Sequence, residues 1–164
     1  MVITGHRGAA KLEPENTCLS IQKAIDLGVD QIEIDVHLTR DQHLVVIHDQ
    51  TVDRTTDGWG AVSDLSLQEI KQLDAGKGEK IPTLQEVVDV IQGRVILQIE
   101  LKGLATAEPV VNLIEKNSIE SDVILTSFVH DRLCKVRHLN SDIALGALWS
   151  TPPDDACQQA LEIG

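Results

Sequence analysis

Hydrophobic and polar residues alternate strictly along one short stretch, from Gln31 to His37. An extended strand places successive side chains on opposite faces, so three β-branched residues take one face while Glu33, Asp35 and His37 take the other. An unpaired buried carboxylate is costly. The stretch therefore predicts either a half-exposed edge strand or a strand whose carboxylates bind a divalent cation.

The rest of the hydrophobic pattern predicts alternating strands and helices. The first strand covers residues 1–5, and the helix after it is capped by Asn16 or Thr17 and ended by Gly28. Apolar runs between turn residues predict the other strands, and apolar residues at helical spacing predict the other helices. The strands fall at 30–37, 44–48, 94–102, 123–128 and 143–148, and the helices at 66–73, 82–91, 105–116, 130–139 and 154–163.

Alternating strands and helices with continuous apolar strands are typical of a parallel sheet. Six strands fit an open doubly wound sheet, whereas a closed (β/α) barrel takes eight strands and typically about 250 residues. No GxGxxG or GxxxxGK[S/T] motif follows the first strand, so nothing indicates a nucleotide site. Residues 49–82 interrupt the alternation and are predicted to be irregular around one short helix.

The composition argues against several classes of function. The 164 residues suffice for one domain, and a net charge of −12 with two Trp, one Phe and no Tyr argues against a nucleic-acid-binding surface. No apolar run reaches the roughly 18–20 residues of a membrane span. Met1 leads directly into an apolar strand, so no signal peptide is expected. Three widely spaced cysteines form no disulfide framework, which predicts reduced thiols and a cytoplasmic protein.

Polar and charged residues collect where the predicted strands end. The carboxyl ends of parallel strands meet at one edge of a sheet, so we expect these side chains to lie close together. They are His6 and Arg7 after the first strand, Glu33 and Asp35 on the second, His48 and Asp49 at the end of the third, and Glu100 and Lys102 on the fourth.

These residue types suit the chemistry of phosphate esters. Glu33, Asp35 and Glu100 offer the oxygen ligands that Mg²⁺ and Ca²⁺ prefer, which predicts one divalent cation. His6 and His48 are suited to act as general acid and base near neutral pH. A metal ion that polarises a phosphoryl oxygen and two histidines that move protons together favour phosphodiester cleavage.

The neighbouring polar residues carry weaker signals. Arg7 and Lys102 are suited to bind an anion such as phosphate, although each could instead be a salt-bridge partner of a nearby carboxylate. Taken alone, either candidate histidine could equally be a structural imidazole. Asp49 is interpreted as a hydrogen-bond partner rather than a ligand. Residues 14–17 are interpreted as the start of a helix, and His37 is assigned no catalytic role.

Six short motifs occur in order and carry a family resemblance. They are Gly5–Gly8 (GHRG), Pro14–Thr17 (PENT), Glu33–Val36 (EIDV), Val46–Asp49 (VIHD), Arg54–Thr56 (RTT) and Glu100–Lys102 (ELK). This combination resembles the glycerophosphodiester phosphodiesterase family, and Ser127-Phe128 after the fifth strand is similar to it too. The resemblance implies a TIM-type (β/α) barrel that hydrolyses glycerophosphodiesters, such as glycerophosphocholine or glycerophosphoethanolamine, to glycerol 3-phosphate and an alcohol.

The resemblance also implies a role for each candidate residue. In the family's usual account a neighbouring hydroxyl of the glycerol attacks phosphorus, and water then opens the cyclic phosphate. The implied assignments are a divalent cation on Glu33, Asp35 and Glu100, acid–base catalysis by His6 and His48, and phosphate binding by Arg7 and Lys102.

The resemblance has one departure, at the end of the chain. Members of the family continue through two more strands, the last with a Trp-Thr-Val-Asn-like motif, and this sequence ends at Gly164 without one. The expected fold is therefore a single barrel domain, truncated after about six strands, with a small insertion at residues 49–82 after the third strand. An exposed edge of an incomplete barrel makes a homo-oligomer plausible.

Two other functions remain open on the sequence. One is a phospholipase of the sphingomyelinase D type, which uses similar machinery on a choline-type lipid; the acidic sequence disfavours it. The other is a domain that binds a cation or a phosphate ester without catalysis, because its barrel is incomplete. That alternative predicts stabilisation by metal without turnover.

Overall fold

The computed structural model describes residues 1–163, and a parallel sheet forms its centre. Five parallel strands follow the order β1-β2-β4-β5-β6, and a further strand, β3, pairs with β2. The strands are β1 (Thr4–His6), β2 (Gln31–Leu38), β3 (Leu44–Val46), β4 (Ile96–Leu101), β5 (Val123–Ser127) and β6 (Ala144–Ala147). The α-helices are α1 (Cys18–Asp26), α2 (Leu67–Ile70), α3 (Leu84–Ile91), α4 (Ala107–Asn117), α5 (His130–Leu139) and α6 (Ala156–Ile163), and short 3₁₀ turns occur at Val62–Asp64 and Glu120–Asp122.

The helices begin where the capping residues of the sequence predict. The Thr17 side chain accepts a hydrogen bond from the Ser20 amide at the start of α1. Ser66 before α2 and Thr83 before α3 each form a capping box with the glutamate three residues later. The longest helix, α4, has 11 residues, and none of the helices within residues 1–163 combines the length and apolar character that crossing a membrane requires.

Strand β2 is the central strand of the site, and both of its faces are buried. It pairs with β1 and β3 along one edge and with β4 along the other. The interpretation as a half-exposed edge strand is therefore wrong. The polar face of β2 is almost completely buried, since Glu33, Asp35 and His37 are 6%, 1% and 6% exposed. Its carboxylates therefore need partners other than bulk water.

Strand β3 runs antiparallel to β2, which corrects the predicted sheet. At Val36, β2 pairs with Leu101 of β4 on one edge and with Val46 of β3 on the other. Only residues 39–43 connect β2 to β3, whereas a parallel crossover needs a dozen residues or more. The prediction of six parallel strands is thus wrong, and the described part of the chain has five.

A second, smaller apolar cluster lies outside the main sheet. It is formed by β3 and the segment after it, through Val45, Ile47, Val52, Val62, Ile70, Ala75 and Ile81. Strand β3 contributes Val45 to this cluster and Leu44 and Val46 to the main core, so it joins the two clusters. A small insertion at residues 49–82 after the third strand stays a prediction.

The first strand is shorter than predicted. Val2 and Ile3 are 67% and 54% exposed, and the strand begins at Thr4. Strand β1 pairs with β2 so that His6 lies beside Glu33. This register places the first candidate histidine directly at the acidic face of the central strand.

Candidate active site

Three buried carboxylates form the centre of the site. Asp35 on β2 and Glu100 on β4 are paired across the sheet, and Glu33 lies two residues earlier on the same face as Asp35. The residues Glu33, Asp35 and Glu100 are 6%, 1% and 8% exposed. One oxygen from each lies within 4.8 Å of the others. The three side chains predicted to bind a cation are therefore brought together.

The electrostatics of this cluster fit a bound cation. Burial, together with the charge of Asp35, raises the pKa of Glu33 to about 7. The Oδ1 atom of Asp35 is buried and accepts no hydrogen bond. A carboxylate oxygen left unpaired inside a protein is costly unless a positive charge compensates it. The three residues that could hold a metal ion all offer carboxylate oxygens, which suits Mg²⁺ or Ca²⁺.

His6 and Arg7 reach the cluster from the end of β1. The backbone amide of Arg7 donates a hydrogen bond to the Glu33 carboxylate at 3.2 Å. The Nε atom of the Arg7 guanidinium lies 3.5 Å from the Asp35 carboxylate. The Arg7 Nη1 also donates to Glu15 at 3.0 Å. The Nε2 of His6 lies 3.7 Å from Glu33, and 69% of the imidazole side chain is exposed. His6 thus borders the carboxylates and stays accessible to a substrate.

His48 reaches the site by a route that the sequence did not predict. Strands β1 and β3 pair with the same edge of β2, β1 with its first residues and β3 with its last. Because β3 is antiparallel to β2, it runs toward the end of β1. The Ile47 amide donates to the Asp35 carbonyl at 3.0 Å, which fixes the backbone next to His48. His48 therefore lies beside the carboxylates although its strand is antiparallel.

The His48 imidazole is oriented by Asp49. Its Nδ1 lies 2.6 Å from the Asp49 carboxylate, so Nε2 is the ring nitrogen that stays outside this hydrogen bond. Hydrogen bonds from Arg54, and then from His48, hold the pKa of Asp49 well below its usual range. The interpretation of Asp49 as a hydrogen-bond partner agrees with this geometry.

Lys102 lies on the opposite side of the cluster from His6. Its Nζ is 3.0 Å from Glu100 and 3.7 Å from Asp35. The ammonium also faces the ring of Phe128, at 6.0 Å from the ring centroid. A cavity of about 450 Å³ opens here, and its lining includes His37, His48, Glu100, Lys102 and Phe128.

Asn16 belongs to the site, although the sequence was interpreted there only as the start of a helix. It is 3% exposed, and its Nδ2 donates to Asp35 at 2.9 Å. Its φ of +57° lies in the left-handed region, which asparagine tolerates better than most residues. Its Oδ1 atom is buried without a hydrogen-bond partner, so it offers a further oxygen that could bind a cation beside the carboxylates.

Glu15 and Arg54 connect the two histidine-bearing segments. Arg54 in the insertion donates to Glu15 at 2.8 and 2.9 Å, and to Asp49 at 2.6 Å. Glu15 also holds Arg7, and the Arg54 bond lowers the pKa of Glu15. The presence of both the PENT and the RTT motif was the available sequence signal, but only the fold shows that they contact each other.

His37 has a structural contact to the site. It is 6% exposed, and its Nε2 lies 3.2 Å from the His48 carbonyl oxygen. Burial lowers the pKa of the His37 imidazole. A neutral ring at this position can donate to the carbonyl, so His37 helps to fix the backbone that carries His48.

The comparisons with known proteins agree with this geometry. Residues 6–162 match the sequence profile described as the glycerophosphoryl diester phosphodiesterase family. The chain belongs to this family. The matched range starts at His6 and includes the motifs on which the resemblance rested, except for Gly5 at the start of the first one.

Individual members of the family are similar along most of the chain. A glycerophosphodiester phosphodiesterase of Caldanaerobacter subterraneus subsp. tengcongensis is 42% identical over 161 residues, which cover 90% of this chain and 66% of the relative. The crystal structure of a glycerophosphodiester phosphodiesterase from Agrobacterium tumefaciens has a TM-score of 0.83 at 34% identity, covering 88% of this chain and 65% of that one.

A third relative carries a bound product. A phosphodiesterase of Oleispira antarctica, solved in complex with the product sn-glycerol-3-phosphate, has a TM-score of 0.88 at 31% identity and covers 99% of this chain and 72% of that one. The chain spans somewhat less than two thirds of the length of the first curated relatives, 66% and 63% of them. Nearly all of the chain therefore has the same fold as the matching part of these TIM-barrel relatives.

Proposed function

We propose that this protein hydrolyses glycerophosphodiesters to glycerol 3-phosphate and an alcohol. The observation that carries the proposal is the buried cluster of Glu33, Asp35 and Glu100, bordered by His6 on one side and Lys102 on the other. The family match and the product complex of the Oleispira antarctica relative support it.

Glu33, Asp35 and Glu100 would hold one divalent cation, Mg²⁺ or Ca²⁺. When bound, such a cation polarises a phosphoryl oxygen and offsets the charge of the phosphate. The Oδ1 atom of Asp35, which is buried and accepts no hydrogen bond, supports this assignment. Arg7 and Lys102 would orient the remaining phosphate oxygens, since both cations lie at the edge of the cluster.

His6 and His48 would move the protons of the reaction. One histidine removes the proton of the attacking glycerol hydroxyl, while the other gives a proton to the departing alcohol. A cyclic phosphate forms, and the two residues exchange roles when water opens it. The Asp49 carboxylate accepts a hydrogen bond from Nδ1 of His48 and so keeps a proton on that nitrogen. Nε2 is then the nitrogen that exchanges a proton with the substrate.

Wider properties of the protein belong to the same proposal. We propose that the five parallel strands belong to a single TIM-type (β/α) barrel domain and that the protein acts in the cytoplasm on a small-molecule substrate. Its partners would include a second copy of the chain, because β1 and β6 each pair with one strand only in the described residues.

The decisive experiment measures release of glycerol 3-phosphate from glycerophosphoethanolamine with Mg²⁺, Ca²⁺ or a chelator. We expect release that requires the cation and falls by about 10²- to 10⁴-fold in His6→Ala and in His48→Ala, with unchanged melting temperatures. The exposed His138 on α5 provides the matched control, His138→Ala, which keeps full activity. Stabilisation by the cation without any release would overturn the proposal in favour of a binding domain.

A further inference from the structure

A cleft of about 520 Å³ opens beside the candidate active site. Its walls are the β2–β3 turn, two segments of the insertion at 50–51 and 61–63, and residues 102–105 after β4. We call it the side cleft. It shares His37, Gln50, Lys102 and Arg132 with the cavity at the carboxylates, so a molecule whose phosphate contacts Lys102 can extend into it.

The side cleft differs in charge from the chain as a whole. The chain has a net charge of −12, yet Arg40, Lys102 and Arg132 line the side cleft and no described Asp or Glu does. Two of these cations are paired, since Arg40 lies 2.9 Å from Glu69 and Lys102 lies 3.0 Å from Glu100. Arg132 differs from them because it forms no ion pair within residues 1–163.

Arg132 is a half-buried cation in the first turn of α5. Its Nη1 donates to the carbonyl oxygen of Leu101 at 2.7 Å. Burial lowers the pKa of Arg132, as expected where a neutral carbonyl is the hydrogen-bond partner of a desolvated charge. Glu100 is the carboxylate that acts on Arg132 electrostatically, and it does so from beyond ion-pair distance. An anion bound in the side cleft would supply a counter-charge at hydrogen-bond distance.

The side cleft lacks the groups that bind quaternary ammonium ions. Proteins recognise such cations with the rings of Trp, Tyr and Phe, and none of these side chains among the described residues lines the side cleft. Phe128 lies instead at the carboxylate cavity, facing Lys102. Trp59 is 82% exposed, and Trp149 packs against His130.

We propose that the side cleft binds the alcohol headgroup of the diester and that Arg132 selects headgroups that carry an oxyanion. This inference rests on the proposed function, because the headgroup is one half of the diester. The glycerol half is small and uncharged, so it cannot compensate Arg132. A guanidinium binds a carboxylate or phosphate through paired hydrogen bonds, which an ammonium headgroup cannot accept.

Glycerophosphoserine and glycerophosphoethanolamine test the inference, because they differ only by one carboxylate. Affinities are measured by calorimetry with Mg²⁺ on the His48→Ala protein, and kcat/KM is measured on the active protein. We expect glycerophosphoserine to be preferred by about tenfold in both. Arg132→Ala and Arg132→Gln remove this preference by weakening only glycerophosphoserine.

The controls separate Arg132 from general effects. Lys135→Ala removes an exposed cation from the same helix, where it pairs with Glu108 at 3.2 Å, and keeps the preference. The Leu101 carbonyl retains the Ser127 hydroxyl as a donor at 3.0 Å in both Arg132 variants, so melting temperatures stay within a few degrees.

Each outcome separates the inference from the proposed function. Equal affinity for the two diesters, or a preference that survives Arg132→Ala, overturns the role of Arg132 while leaving hydrolysis intact. A preference in binding that depends on Arg132, without any turnover, supports the side cleft and overturns the proposed reaction. Binding of neither diester overturns both.

Discussion

The two candidate catalytic histidines are constrained to different degrees. His48 shares a 2.6 Å hydrogen bond with Asp49, which Arg54 holds in turn. His6 lies 3.7 Å from Glu33 and has an exposed ring. The orientation of His48 therefore depends on a side-chain network, whereas that of His6 depends on its position at the end of β1.

Asp49→Asn tests this network. An amide cannot act as the charged acceptor for Nδ1–H, so the imidazole loses both its orientation and its preferred tautomer. We expect kcat to fall by one to two orders of magnitude, less than the roughly 10²- to 10⁴-fold effect of removing an acid–base group. Asp154→Asn, an exposed position before α6, is the control. An unchanged kcat in Asp49→Asn would exclude an orienting role.

Glu33 should make the cation-free protein sensitive to pH. Its pKa in the folded protein is raised to about 7, so between about pH 4.5 and pH 7 the folded state binds the proton that the unfolded state has lost. The protonated Glu33 carboxyl therefore makes its full contribution to the free energy of unfolding below that range. This contribution declines as pH rises through the range, by about 3 kcal/mol in total.

The measurement compares denaturant unfolding of the wild type with that of Glu33→Gln, in chelator. The amide mimics the protonated carboxyl, so the stability advantage of the variant is expected to grow from about pH 4.5 to about pH 7. Above that range it levels off, because the carboxyl of the wild type is then ionised in both the folded and the unfolded state. Mg²⁺ then stabilises the wild type more than the variant, because it compensates the ionised carboxylate. A difference that stays constant with pH would contradict the assignment.

At the scale of elements, the loop from β1 to α1 holds His6 and Arg7 against the sheet. Gly8 in this loop has a φ of +76°, and a Cβ there would lie 2.7 Å from the Ser20 carbonyl carbon in α1. The close approach of loop and helix therefore requires glycine. It also fixes the distance between the end of β1 and the capped start of α1.

Gly8→Ala is expected to displace this loop. The clash with helix backbone adds to the cost of the left-handed conformation, so we expect a loss of roughly 2–5 kcal/mol of stability together with a loss of activity. Gly28→Ala is a matched control, because its φ is +77° and a Cβ there meets nothing within 4 Å.

The control should lose only about 1–2 kcal/mol, the cost of the conformation alone, and keep its activity. Thermal unfolding and glycerol 3-phosphate release are measured on both variants. Equal losses in the two would show that the contact between Gly8 and α1 is unimportant.

Elements were predictable to different extents. The starts of α1 and α3 follow from Thr17 and Thr83, since a capping hydrogen bond joins residues only three positions apart. The direction of β3 was predicted wrongly, because an apolar run such as 44–48 carries no information about which strand it pairs with. The short connection after Leu38 was the available signal for a hairpin.

At the scale of the molecule, the sheet has two edges without a second strand in the described residues. The outer strand β6 contains Ala144, which is exposed, and pairs only with β5. Free edge groups of this kind are templates for pairing with another chain. We therefore expect this chain to self-associate at high concentration.

Ala144→Lys tests whether the β6 edge mediates this association. A charge on an edge strand opposes pairing with another strand, so the variant should stay smaller in size-exclusion chromatography with light scattering. Gln158→Lys, an exposed position on α6, makes the same change of charge and should associate like the wild type. Association that is identical in both variants would exclude this edge.

The sequence by itself determined the features that depend on neighbouring residues. Alternation placed Glu33 and Asp35 on one face of a strand, and six local motifs identified the family and seven candidate residues of its site. Only the tertiary structure decided how β3 brings His48 to that face, why Asn16 contacts Asp35, and that Arg132 faces the side cleft. These contacts join segments far apart in the chain, and the fold that brings them together is selected by burial of the whole core rather than by any one segment.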